Sequence, residues 1–169
     1  MNLLEMTLPE LLKATETAFP DTSLRQNATS DLRVDTQEFI PTSGGLMVKS
    51  KVTNTNKGSA YETSVLLLNI EPSDESDSSA TKVIGADGTD YYFKPIDINK
   101  TDVQVSCPCM DFRYRFATWN FGKGTLLGPK PEPYVKKTTT RPEANPSHSV
   151  GVCKHLVVTM DELQDKRLI

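Results

Sequence analysis

The chain opens on a helical period. In "TLPELLKATETAF", Leu8, Leu11, Leu12 and Ala18 fall on one face, and Thr7 and Glu10 have capping-box spacing, with Pro9 in the tolerant first turn. This face predicts packing on a sheet, with a partner protein as the alternative receiver. From residue 30 to residue 106 the period drops to two. "LMVKSKVTN" sets Val48 and Val52 against Lys49 and Lys51, a half-buried strand. "AYETSVLLLNI" begins by alternating and ends as a continuous apolar run, which predicts a central strand. "TNTNKGS" between them is turn-rich. "KVIGADGTDYYFKPI" reads as two short strands around an Asp87-Gly88 hairpin turn, and "DVQVSCPC" as one more strand.

Two stretches break the pattern. Residues 71–81, "EPSDESDSSAT", are acidic, serine-rich and almost without apolar side chains, and predict a mobile solvated loop, with phosphorylation or a partner as the alternative role. Residues 128–147 hold five prolines and several cations and predict an extended loop. Between the last strand and that loop, Asp111 is positioned to cap a short helix carrying Phe112, Phe116 and Trp119 on one face and stopped by Gly122 and Gly124. A final helix starts near Cys153 and presents Leu156, Met160 and Leu163.

Composition narrows the class. With 37% hydrophobic and 24% charged residues the chain reads as an ordinary globular protein. No apolar run is long enough to span a bilayer, and the N-terminus lacks the basic start of a signal peptide, so no membrane role is expected. An odd cysteine count argues against a disulfide framework and for synthesis in a reducing cytoplasm. Asn27-Ala-Thr and Asn99-Lys-Thr fit the glycosylation pattern and are read as chance matches. Charge is uneven: residues 1–100 hold 9 Lys+Arg against 15 Asp+Glu, whereas residues 101–169 hold 10 against 7.

All three cysteines and one of the two histidines lie in two short pieces, Cys107-Pro-Cys109 and Cys153-Lys-His155. Three thiolates and an imidazole form a complete tetrahedral donor set for a structural zinc ion. Pro108 would help hold the bend that turns residues two apart toward one ion. Four protein ligands leave no open position for a reactive water. A catalytic cysteine is the rival reading, two buried thiols with a coincidental histidine are the plainer one, and His148 is the alternative nitrogen donor. No phosphate-binding Gly-rich loop occurs, a Ser-His-Asp triad would have to use His148, and no small-molecule substrate is expected.

The spacing C-x-C, a variable stretch, then C-x-H resembles the SWIM-type zinc finger over roughly residues 103–160, with Cys107, Cys109, Cys153 and His155 at the matching positions. The resemblance implies that the first pair follows a strand and the second opens a helix, in agreement with "DVQVSCPC" and "CKHLVVTM". The 43-residue spacer is longer than the family's usual one. Loop closure costs only about 0.6 kcal/mol per doubling of length, against on the order of 10–16 kcal/mol for structural zinc. "CPCMDFRYRF" and "VCKHL", joined by a Pro/Asn-rich insert, also resemble SWIM-containing proteins of tailed bacteriophages. That resemblance implies a virion component at the capsid, neck or tail, made in the host bacterial cytoplasm and partnered by other subunits.

The sequence therefore predicts an α+β protein: an N-terminal helix and a mainly antiparallel sheet over residues 1–102, and a SWIM-like zinc module with a short closing helix over residues 103–169, packed as one unit. The expected function is a non-enzymatic structural subunit. The alternative is nucleic-acid binding through residues 111–155, which hold eight cations against three acids. Arg113, Arg115, Lys136, Lys137 and Arg141 would contact phosphates, and Phe112, Tyr114, Phe116 and Trp119 would stack on bases. A sequence pI near 5.4 and the core-like spacing of those aromatics weigh against it.

Overall fold

The computed structural model describes residues 6–133, 135–138 and 140–168. Helix α1 (Leu8–Ala18) starts at a complete capping box: the Thr7 amide donates to Glu10 Oε2 at 2.8 Å, and the Glu10 amide donates to Thr7 Oγ1 at 3.4 Å. Leu8 and Leu11 are buried and Leu12 is half-buried, as the period predicted.

Three strands follow as consecutive hairpins: β1 (Leu32–Thr42), β2 (Gly45–Asn54) and β3 (Ala60–Leu68). A tight turn joins β1 to β2, and Gly45 adopts φ 151° there. A Cβ at that position would lie 1.8 Å from the Leu67 carbonyl oxygen, so only glycine lets β2 approach β3. Strand β6 (Val103–Ser106) pairs antiparallel with β3 and completes the order β1-β2-β3-β6. β3 is thus a central strand, and its Val65 and Leu67 are buried.

Strands β4 (Thr81–Ile84) and β5 (Asp90–Phe93) form a separate ribbon around the Asp87-Gly88 turn, where Gly88 has φ 79°. The ribbon docks on β1 through a bond from the Ala86 amide to the Phe39 carbonyl at 2.9 Å. The acidic stretch before it carries no regular element, yet it is tied down. The Ser73 amide donates to the Tyr92 carbonyl, the Lys94 amide to the Glu71 carbonyl, and Lys94 also pairs with the Glu71 carboxylate. Backbone bonds to β5 supply the anchorage that its composition does not reveal.

The alternation of the strands selects one face for the core. Leu46 and Val48 meet Val65, Leu67, Val103 and Val105 there, beneath Leu8 and Leu11 of α1 and beneath helix α4 (Lys154–Asp165), and Val52 further along β2 is buried too. α4 contributes Leu156, Met160 and Leu163, as its spacing predicted. Each such aliphatic side chain is worth about 1.5–3 kcal/mol when fully buried. A buried hydroxyl pair, Thr63 Oγ1 to Thr159 Oγ1 at 2.7 Å, links β3 to α4.

The helix expected after Asp111 is two helices, α2 (Met110–Arg115) and α3 (Ala117–Gly122), interrupted at Phe116 with φ −120°. Asp111 is not the cap. Cys109 holds that position, and Asp111 instead pairs with Arg115 one turn on, at 2.6 Å. Phe112 and Phe116 are buried, whereas Trp119 is half-buried under the ring of His148 at 4.0 Å. The described residues of 128–147 form no helix or strand. None of the described helices is long and apolar enough to cross a membrane.

Candidate metal centre

The end of β6 delivers Cys107 and Cys109 into the interior. The strand stops at Ser106, and the Cys-Pro-Cys segment turns the chain into α2. Cys109 is the N-cap of α2 and its Sγ accepts the Phe112 amide at 3.3 Å. The second pair straddles the start of α4: Cys153 is the N-cap and His155 lies in the first turn.

The approach to Cys153 is fixed by side chains from three places. Asn120 of α3 brackets Gly151, donating to its carbonyl and accepting its amide, both at 2.9 Å. Thr15 of α1 accepts the Val152 amide at 2.9 Å. Asn145 donates to the carbonyls of Arg115 and Ser149 at 2.7 Å each. Gly151 has no room for a side chain, since a Cβ would lie 2.4 Å from the Phe116 ring and 2.5 Å from Thr15 Oγ1.

Cys107, Cys109, Cys153 and His155 converge with their donor atoms all within 4.8 Å of one another, and all four residues are buried. His155 Nδ1 lies 3.9 Å from the Cys107 sulfur and 3.8 Å from the Cys153 sulfur, so this nitrogen faces the thiols. A tetrahedral ion with metal–sulfur bonds of about 2.3 Å and a metal–nitrogen bond of about 2.0 Å has ligand–ligand edges of roughly 3.5–3.8 Å. The sulfur–nitrogen edges here are slightly longer than that and need only a small contraction. The cysteines form no disulfide. The His155 ring rests against Tyr61 with centroids 4.8 Å apart, and its carbonyl accepts Thr159 Oγ1 at 2.9 Å, which fixes the helix turn that aims it.

The four buried donors could hold a metal ion. Hydrogen bonding from Cys107 holds the Cys109 thiol far below its ordinary range, with Cys153 adding to the effect. The same pairing pushes Cys107 up to about 12, and burial pushes Cys153 up. One sulfur can therefore ionise at the expense of its neighbours. A divalent ion would remove the conflict by ligating all three sulfurs as thiolates and offsetting most of their charge, and the donor set fits a soft or borderline metal. Arg25, Lys57 and Lys154, against the one carboxylate Asp111, line a cleft of about 300 Å³ that also reaches Cys109 and His155, a cationic excess that favours the net negative charge a Cys₃His–dication set would carry.

The other expected residues are dispersed. His148 is exposed, stacks on Trp119 and faces Glu143 at 3.1 Å, and is not among the four clustered donors. Arg115, expected to contact phosphate, is interior and only 3% exposed. Its guanidinium lies 4.5 Å from the rings of both Phe19 and Phe116 and bonds to Asp111 and to Asn27. Phe112 and Phe116 are buried and cannot stack on bases. Arg113, Lys136, Lys137 and Arg141 are exposed. Reasoning from sequence did not single out Thr15, Asn120, Asn145 or Gly151 as supports. Asparagine and glycine in such places carry no periodic signal, and Thr15 reads as one more residue of α1. Searches against family models, curated proteins and solved structures give no match to this chain.

Proposed function

We propose that the chain is a zinc-stabilised, non-catalytic structural subunit with a SWIM-like metal module, and that it serves in the particle of a tailed bacteriophage. The observation that carries the first half is the buried Cys₃His quartet at the junction of β6, α2 and α4. Three thiolates and an imidazole are zinc ligands of the structural kind, and a closed set keeps no position for water or substrate. The ion would tie the last helix to the edge of the sheet. The second half rests on the resemblance of "CPCMDFRYRF" and "VCKHL" to SWIM-containing phage proteins.

The nucleic-acid reading is weakened by particular residues. Arg115, Phe112 and Phe116 are spent in the core, leaving exposed Arg113 on α2 and the exposed cations of the proline-rich loop. The experiment is peptide mass spectrometry of purified phage particles alongside binding of the isolated chain to duplex DNA over a salt series. The subunit reading expects stoichiometric presence in the particle and no steeply salt-dependent DNA binding. Absence from particles, with affinity for DNA that collapses as salt rises, would favour the alternative.

A further inference from the structure

The cleft that reaches Cys109 and His155 carries more positive charge than those residues can use. Its three cations come from places far apart in the chain: Arg25 from the segment between α1 and β1, Lys57 from the β2–β3 turn, and Lys154 from the first position of α4. Their backbones are pinned. Asn27 holds the first segment, accepting from Arg115 at 2.9 Å and donating to the Asp21 carbonyl at 2.8 Å. Asn54 Oδ1 accepts the amides of Asn56 and Lys57 at 3.0 and 2.9 Å, which fixes the turn that presents Lys57. Lys154 is half-buried, and its Nζ donates to the Arg25 carbonyl at 3.0 Å, so two of the cationic residues are joined directly.

The charges decide what the cleft can take. Its one carboxylate, Asp111, is bonded to Arg115 at 2.6 Å and is attracted more weakly by Lys154. Among the described residues no carboxylate forms an ion pair with Arg25, Lys57 or Lys154. Three thiolates and a dication would leave the centre one net negative charge, which offsets one cation of the three. Two positive charges stay unmatched, on a chain whose formal net charge is −3. The donors are a guanidinium and two ammonium groups, with the hydroxyls of Ser59 and Tyr61 beside them, a set that suits an oxyanion. A volume of about 300 Å³ lies at the small end of ligand clefts. A phosphate monoester carries about −1.5 to −2 at neutral pH and matches the excess, whereas a phosphodiester carries a single charge.

We propose that this cleft binds a small phosphate monoester between Arg25, Lys57 and Lys154. The inference goes beyond the subunit role, and its charge count rests on the zinc reading above. The test is titration of the full metal-loaded chain with methyl phosphate, at a pH where the monoester is a dianion, followed by the nitrogen–proton shifts of the backbone amides. Saturable shifts should centre on Arg25, Lys57 and Lys154. Lys57→Glu and, separately, Arg25→Glu should each raise the dissociation constant about 10-fold or more, with metal content unchanged, because neither residue is one of the four clustered donors. Dimethyl phosphate, a diester, should bind more weakly by a similar factor. Lys136→Glu, at an exposed position on the proline-rich loop, should leave the affinity within about twofold. Shifts that never saturate overturn the inference, as does binding that survives both cleft variants or falls equally with Lys136→Glu. Dimethyl phosphate binding as tightly as methyl phosphate also overturns it, and points to the backbone of a nucleic acid instead. Metal analysis of the same samples separates the two readings. A metal-free chain that binds methyl phosphate in this way overturns the zinc reading alone, and a zinc-loaded chain that does not bind overturns the cleft alone.

Discussion

The β1–β3 sheet and the region from Cys107 to α4 bury comparable apolar side chains by different means. In β1–β3, neighbours in sequence are neighbours in space: consecutive hairpins pair over nine or more residues and alternate inward Val and Leu with outward Lys, Glu and Ser. In the second region, α2 and α3 are six residues each, too short to persist alone. They are held by contacts between residues far apart in the chain, such as Asn120 to Gly151, Thr15 to Val152, and the converging Cys and His donors. The first region should tolerate loss of any single attachment, whereas the second should fail when one is cut.

The largest expected effect comes from cutting the centre itself. Cys109→Ser, or chelation of the metal, should expose residues 105–168 to hydrogen exchange while the amides of β2 and β3 stay protected. The binding free energy at stake is on the order of 10 kcal/mol. Uniform loss of protection over both regions would erase the distinction between them.

Gly151→Ala comes next. Its Cβ must displace the Phe116 ring or Thr15 Oγ1, at a cost of about 1–3 kcal/mol by overpacking, and it should lower metal affinity as well as the melting temperature. Asn120→Ala leaves both backbone groups of Gly151 buried and unpaired, at about 1–3 kcal/mol for each group. Thermal melts with and without metal separate these two effects. Thr7→Ala removes one cap of α1 and should cost only about 1 kcal/mol, without changing metal affinity, because that cap touches no ligand.

Acidity sharpens the same comparison. Without a cation, Cys107 is raised to about 12 and Cys153 is raised by burial, so both hold their protons at neutral pH and must release them when metal binds. Metal affinity should therefore rise with pH and fall on acidification. A titration that releases no protons on metal addition would contradict thiolate ligation.

What the sequence disclosed follows from the same contrast. The capping box, the alternation of β2 and the Asp87-Gly88 turn are local patterns, and each forms where its residues predict. The Cys and His spacing was legible because so few residue types bind zinc and all of this chain's cysteines fall in it. The break at Phe116 was not, because the spacing of Phe112, Phe116 and Trp119 fits one continuous helix as well as two. Nor was the burial of Arg115, since an arginine that pairs with Asp111 and lies against two phenylalanine rings reads along the chain like any surface cation. Such attachments depend on which distant residues meet, which no local period encodes.

The most direct test of the central claim is metal analysis of the purified chain by mass spectrometry under native and denaturing conditions. The account predicts one zinc ion per chain, lost on unfolding, with Cys107, Cys109 and Cys153 protected from alkylation until the metal is removed. A folded chain without metal, all three thiols alkylating freely, would contradict it.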